Sequence, residues 1–196
     1  MSNNYTSTHE GNKTLSIDGS GNLPSVDYRV AENICNFIEK NIIKEGKVID
    51  FGSGVGYFQK FCEDNNKFEV WSVEGYSGIN FVANKDRWLV KNLGVPLEKE
   101  YENQFNLVVS FECIEHIHQT EQETFWKNLF LCSNKALVTI HTENEEHDEH
   151  CFIRKLNWWK QFFTKNNWKF QILGTPESPW QVWPEANCSI AVLLEA

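Results

Sequence analysis

The chain has 196 residues, a length that suits one domain with one sizeable core. Its 41% hydrophobic and 14% aromatic content indicates a globular protein, and a formal charge of −9 with a pI near 5.2 opposes tracking along a phosphate backbone, which needs clustered Lys and Arg. Met1-Ser2-Asn3-Asn4 lacks the basic and apolar regions of a signal peptide, no apolar run approaches bilayer-spanning length, and the cysteines (35, 62, 113, 132, 151, 188) form no Cys-x-x-Cys pair, so the expectation is a cytoplasmic protein with reduced packing thiols and no membrane partner.

Residues 1–24 are rich in Ser, Asn, Thr and Gly and read as a flexible N-terminal tail ahead of a domain over 25–196. From Val26 the pattern turns helical: Val30, Ile34, Phe37, Ile38 and Ile42 share one face, and Glu45-Gly46 ends the helix. Val48 and Ile49 then read as a buried strand. Asp50-Phe51-Gly52-Ser53-Gly54-Val55-Gly56 follows it, and Phe58, Phe61 and Cys62 mark one face of the next helix. Strand, glycine turn and helix together bring backbone N–H groups and a helix N-terminus close to a ligand. A dinucleotide fingerprint wants its third glycine one place later, where this chain has Tyr57.

Phe68 to Val73 reads as the second strand and ends in Glu74-Gly75. A strand-end acid about twenty residues beyond a glycine loop can accept hydrogen bonds from both ribose hydroxyls of a nucleoside cofactor. Phe105 to Phe111 is a continuous apolar run of the parallel-sheet type, and it leads into Glu112-Cys113-Ile114-Glu115-His116-Ile117. Thr120 with Glu123 predicts a capping box for a helix whose apolar face is Phe125, Leu129 and Cys132. Ala136 to Ile140 is the next strand. Asn157 is placed as the cap of an aromatic helix with Trp158, Trp159, Phe162 and Phe163, whose crowding leaves some of them partly exposed. Trp168 to Leu173 and Cys188 to Leu194 read as two last strands around a loop bearing Pro179, Trp180, Trp183 and Pro184. That loop is expected to pack on the core, with an acceptor pocket as the alternative use of its rings. The fold class is therefore α/β: a doubly wound, mostly parallel seven-stranded sheet with an antiparallel C-terminal edge hairpin.

Asp-x-Gly-x-Gly-x-Gly at 50–56 resembles motif I of the class I S-adenosylmethionine-dependent methyltransferases, and the resemblance covers about residues 26–196. It implies a Rossmann-like methyltransferase with S-adenosylmethionine as cofactor. Asp50, Gly52, Gly54 and Gly56 would cradle the methionine half and Glu74 would hold the ribose. Asn92, in Asn92-Leu93-Gly94-Val95-Pro96-Leu97, stands where related enzymes carry an acid that accepts from the adenine amino group; an amide oxygen can accept that bond as well.

Glu112, Glu115 and His116 fall at a strand end, where open α/β sheets bind ligands, with His116 and Glu112 as the catalytic candidates. The same Glu-x-x-Glu-His segment is similar to that of small-RNA terminal ribose methyltransferases, which add a later His in an Asp-His-x-Phe stretch; Glu149-His150-Cys151-Phe152 is the counterpart here. This second resemblance implies a divalent metal, Mg²⁺ or Mn²⁺, on Glu112, Glu115, His116 and His150, with mixed N/O ligation favouring transition ions. Without metal, His116 or His141 can act as general base. Against a metal, residues 141–150 carry five acids and three histidines and read equally as a solvated loop, in which His147, Asp148 and Cys151 make an irregular zinc pattern. The expected reaction is methyl transfer to an acceptor, with O-methylation of a small molecule or saccharide preferred. The alternatives are ribose 2′-O-methylation of an RNA end and a non-catalytic methyltransferase-fold binding protein.

Overall fold

The computed structural model describes residues 26–142 and 150–196. The expected tail at 1–24 and the candidates His147, Asp148 and Glu149 lie outside the described residues. Among the described residues seven strands form one sheet: β1 (Lys47–Phe51), β2 (Glu69–Glu74), β3 (Trp88–Val90), β4 (Leu107–Ser110), β5 (Lys135–His141), β6 (Lys169–Gly174) and β7 (Ser189–Glu195). Their order is β3-β2-β1-β4-β5-β7-β6, parallel as far as β5, with β7 antiparallel to both β5 and β6. This is the sheet read from the alternating pattern. The short β3 carries a weak signal because only three residues pair, and Val90 is exposed.

Among the described residues four α-helices cover the sheet: α1 (Tyr28–Asn41), α2 (Tyr57–Asp64), α3 (Gln122–Cys132) and α4 (Leu156–Lys165). Helix α1 is capped by Asp27, whose side chain accepts from the Val30 N–H at 2.7 Å, and it buries Val30, Ala31, Ile34, Cys35 and Ile38. It ends at Asn41, short of Glu45-Gly46. The capping box at Thr120 does not form. Thr120 Oγ1 instead lies 2.8 Å from His118 Nδ1, and α3 starts at Gln122 without a side-chain cap. Asn157 likewise sits inside α4, whose cap position is Lys155. At Thr120 the nearby His118 ring takes the hydroxyl and the cap position moves one residue on to Glu121, whereas at α4 it lies two residues before Asn157.

The core lies on both faces of the sheet. One side packs α1 and α2 through Ile34, Ile38, Phe58 and Phe61; the other packs α3 and α4 through Phe125, Leu129, Trp159 and Phe163. Of the four aromatics of α4, Trp159 and Phe163 are fully buried, Phe162 is half-buried and Trp158 is 37% exposed, stacked on Phe162. Trp180 is buried edge-on against Phe37, and Trp183 packs on Phe111, so the last loop serves the core. Cys35, Cys62, Cys113 and Cys132 are buried free thiols, Cys188 is half-buried and Cys151 is exposed. Among the described residues no helix is long and apolar enough to cross a membrane.

The difference between neighbouring tryptophans is measurable. Trp159→Ala should cost about 3–5 kcal/mol of unfolding free energy, as truncation of a fully buried ring does, while Trp158→Ala should cost well under half of that. Urea denaturation of the two variants checks the assignment; equal losses would mean that Trp158 is as enclosed as its neighbour.

Candidate functional site

The carboxyl ends of β2, β1, β4 and β5 meet along one edge of the sheet, and Asp50, the glycine loop, Glu74, Glu112, Glu115, His116 and His141 lie at or just beyond those ends. Asp50 belongs to β1 itself, paired with Ser72 on one side and Val109 on the other, and is 3% exposed. Burial, with the charge of Glu74 adding to it, pushes the Asp50 carboxyl up to about 8.

The loop after β1 turns on three positive-φ glycines, Gly52 (76°), Gly54 (54°) and Gly56 (90°). The Gly52 and Ser53 N–H groups both donate to Val73 O, at 2.9 and 3.1 Å, which pins the turn against β2. A Cβ at Gly52 would lie 2.4 Å from Cys113 Sγ, so glycine is required there by packing as well as by backbone geometry. Glu74 ends β2 and bends back to the same loop: Oε2 accepts from the Gly54 N–H at 3.0 Å and Oε1 from the Tyr76 N–H at 3.1 Å. Its carboxyl is raised by burial, and the backbone N–H groups of Tyr76, Gly54 and Gly75 work against that rise. Asn92 follows β3 and uses its Oδ1 locally, accepting from the Gly94 N–H at 2.7 Å, with a second lone pair still to offer.

Beyond β4 the backbone takes a left-handed corner at Glu112 (φ 48°) and enters a 3₁₀ turn, Ile114–His116. Such a φ is uncommon away from glycine and is held here by several bonds. The Glu112 N–H donates to Thr139 Oγ1 at 2.9 Å, and Ser189 Oγ donates to Glu112 Oε2 at 2.7 Å. Gln122, the first residue of α3, ties down the turn: its Nε2 donates to Ile114 O at 2.8 Å and to Ile117 O at 2.9 Å.

Glu115 is fully buried, and neither side-chain oxygen makes a hydrogen bond of good geometry among the described residues, although the backbone N–H groups of Glu115 and His141 lie near enough to oppose the rise in its pKa. Burial raises its carboxyl well above the usual range, and the neighbouring Glu112 charge raises it further. Glu112 is also raised by burial, with the hydrogen bonds of Ser189 and Thr139 pulling the other way. His150 reaches this turn because the chain that follows it is stapled there. The Cys151 and Phe152 N–H groups both donate to Glu115 O, at 2.9 and 3.0 Å, and Phe152 is buried against Trp158 and Trp159. Ligand atoms of Glu115, His116 and His150 therefore fall within 4.8 Å of one another.

Glu112 stands outside that triad. The His141 Nδ1 lies 3.9 Å from Glu112 Oε2. Of the four residues expected around a metal, the structure gathers three and sets the fourth beside His141. Cys151 directs its Sγ to His116 O at 3.2 Å, and its expected companions His147 and Asp148 lie outside the described residues. The residues that escaped sequence reasoning are Thr139, Ser189 and Gln122, polar groups in or beside apolar runs whose partners are distant in the chain. Glu115, His116 and His150 offer one carboxylate and two imidazoles, a donor set suited to a divalent transition ion.

A methyltransferase-domain family model matches residues 25–173. No curated protein matches the sequence. Among solved structures, the methyltransferase domain of bacterial CtHen1 aligns with TM-score 0.62 and 15% identity over 88% of this chain and 100% of its own. A Leishmania major S-adenosylmethionine-dependent methyltransferase gives TM-score 0.64 and 13% identity over 86% of this chain and 72% of its own. The CMeT domain of citrinin polyketide synthase gives 0.57 and 15% over 76% of this chain, which spans only 46% of that structure. At these identities the likeness is one of fold. The match over 25–173, on a sheet of this order with its glycine loop after the first strand, places the chain in the methyltransferase-domain family of class I, S-adenosylmethionine-dependent enzymes.

Proposed function

We propose that the protein transfers the methyl group of S-adenosylmethionine to a hydroxyl oxygen of an acceptor bearing a vicinal diol, with a divalent cation held by Glu115, His116 and His150. The observation that carries this reading is the fully buried Glu115 carboxylate, without a hydrogen bond of good geometry among the described residues and facing two imidazoles within 4.8 Å. A charge so enclosed is costly unless a cation neutralises it. Bound there, a divalent ion supplies Lewis acidity that lowers the pKa of a hydroxyl and aligns the two oxygens of a diol.

The protein's own groups divide the remaining work. The glycine loop and Asp50 would receive the charged amino-acid end of the cofactor, Glu74 would offer the lone pairs left beside its Gly54 and Tyr76 bonds to the ribose hydroxyls, and Asn92 would accept from the adenine amino group with its remaining lone pair. In the transfer step the acceptor oxygen forms a bond to the methyl carbon as the carbon–sulfur bond breaks. S-adenosylhomocysteine leaves with the electron pair, and the hydroxyl proton passes to Glu112, whose Oε1 is buried without a hydrogen-bond partner among the described residues. His116 lies four residues further on, at the end of the 3₁₀ turn that follows Glu112. The acidic chain disfavours a long phosphate tract, so the diol belongs to a saccharide or small molecule, or to the terminal ribose of an RNA end.

Chelation tests the cation. S-adenosylhomocysteine release with diol acceptors should be lost in EDTA and return with Mn²⁺, and deoxy analogues of the acceptor should fail. Running glycosides and oligoribonucleotides side by side separates the two acceptor sources, and turnover indifferent to chelation would move the chemistry to a metal-free site.

Cofactor binding should depend on pH through Asp50. The free carboxyl is pushed up to about 8, whereas a bound ammonium group favours the ionised form. Below that pH binding must expel a proton, so affinity rises with pH between about 6 and 8, by as much as tenfold per unit. Calorimetry of wild type and Asp50→Asn checks this: the variant should lose the slope, and a flat wild-type profile would remove Asp50 from the cofactor site. By the same method Glu74→Ala should weaken binding by about 1–3 kcal/mol. An unchanged dissociation constant would put the ribose on another acid.

A further inference from the structure

We infer that the groove between α3 and α4 binds a flat aromatic ligand carrying one carboxylate or phosphate, with Arg154 as its anion partner and the Trp158 ring as its stacking surface. The two helices build the groove by their spacing. Gln122, Trp126 and Phe130 recur every four residues on α3, as Trp158, Phe162 and Asn166 do on α4 and at its C-cap, so each row forms a ridge along its helix. The groove that these ridges line has a volume of about 620 Å³, a size that suits a small organic ligand, and Phe152 and Trp168 complete its aromatic lining. By ring centroids Trp126 lies 5.6 Å from Phe162 and 5.4 Å from Trp168, and Phe162 stacks on Trp158 at 5.2 Å. Trp158 nevertheless stays 37% exposed, a large ring left at the surface where Trp159 beside it is fully buried. None of these residues belongs to the proposed cation or cofactor sites, so the inference stands apart from both.

Charge sets the class of ligand. The chain carries a net charge of −9, yet the charged residues lining the groove are Arg154, Lys127 and Glu123. Glu123 pairs with Lys127 at 2.6 Å, which leaves the Arg154 guanidinium as the unbalanced charge. That guanidinium lies 4.4 Å over the Phe152 ring and 5.8 Å from the centroid of Trp158. It donates to two neutral acceptors, Ile153 O at 2.7 Å and Gln119 Oε1 at 3.4 Å, and forms no ion pair among the described residues. A guanidinium fork with donors to spare matches a carboxylate or phosphate, while the rings beside it take a flat body. Two lining side chains add polar contacts. Gln122 Oε1 and Trp126 Nε1 are buried without hydrogen-bond partners among the described residues, an acceptor and a donor on consecutive turns of α3. Buried groups of that kind call for a partner, and the edge of a heterocycle can supply one. An aliphatic anion would leave the rings unused, and a neutral arene would leave the guanidinium unmet.

Calorimetry on the full chain tests the groove, with S-adenosylhomocysteine at saturation so that nucleotides are kept from the cofactor site. Naphthoate and thymidine monophosphate, which lack a vicinal diol, serve as the carboxylate and phosphate probes. Naphthamide and thymidine are their neutral counterparts, and acetate is the anion without a ring. At least one anionic probe should bind saturably below millimolar and about tenfold or more tightly than its neutral counterpart, and acetate should not compete. The better probe identifies the source of the anion. Arg154→Gln should weaken that probe by about 10–100-fold and leave its neutral counterpart unchanged; Arg154→Lys should recover only part of the loss, and Trp158→Ala should weaken both. If a variant fails to fold, the contrast between anionic and neutral probes in wild type still decides the matter. Equal affinities for the two, an Arg154→Gln variant that binds as wild type does, or no saturable binding at millimolar probe would each overturn the inference. None of these readouts involves methyl transfer, so the proposed reaction stands or falls separately.

Discussion

Negative charge withdrawn from water governs this molecule. Asp50, Glu74 and Glu115 are buried along one sheet edge, with Glu112 half-buried beside them. A carboxylate in such a place must be bonded, protonated or neutralised by a cation. The structure uses the first device for Glu74 through two backbone N–H groups, and for one oxygen of Glu112 through Ser189. For Asp50 and Glu115 burial raises the carboxyl pKa, which favours the protonated form until a cation arrives. The parallel sheet makes the arrangement affordable, because its strands are buried on both faces and all end on the same edge.

Much of this was legible in the chain. The alternation of apolar runs with helical faces gave six of the strands and all four helices, since burial on both sides writes a continuous pattern. The glycine loop and Glu74 could be placed because their spacing is local to one strand–turn–helix unit. Glu115 and His116 could be associated with His150 only through the resemblance; the reason they meet is the double N–H staple from Cys151 and Phe152 to Glu115 O, which no spacing announces. His141 reads as an ordinary strand-end residue until β7 pairs against β5. Ser189 lies 48 positions away in the chain (189 − 141), and only the sheet register makes it a neighbour. The failed caps teach the converse. Thr120 has the right spacing, but the His118 ring is closer than the backbone it was expected to serve.

The two faces of the sheet carry unequal duties. On the α1–α2 side the packing serves the glycine loop, and α2 begins directly from Gly56. On the α3–α4 side it serves the acidic turn, through Gln122 at the head of α3 and through Phe152 lodged against the tryptophans of α4. Arg154 lies over the Phe152 ring at 4.4 Å and closes that anchor from the solvent side.

The contact between Gly52 and Cys113 joins these halves. Cys113 stands between Glu112 and the turn that carries Glu115, and its sulfur fills the volume that a side chain at position 52 would need. The two loops are thereby geared like meshed teeth: neither can slide toward the other, and a recoil of one leaves a void behind it. Mutational drift at either position is consequently tied to its counterpart, so a bulkier residue at 113 or any side chain at 52 would jam both halves of the cleft at once.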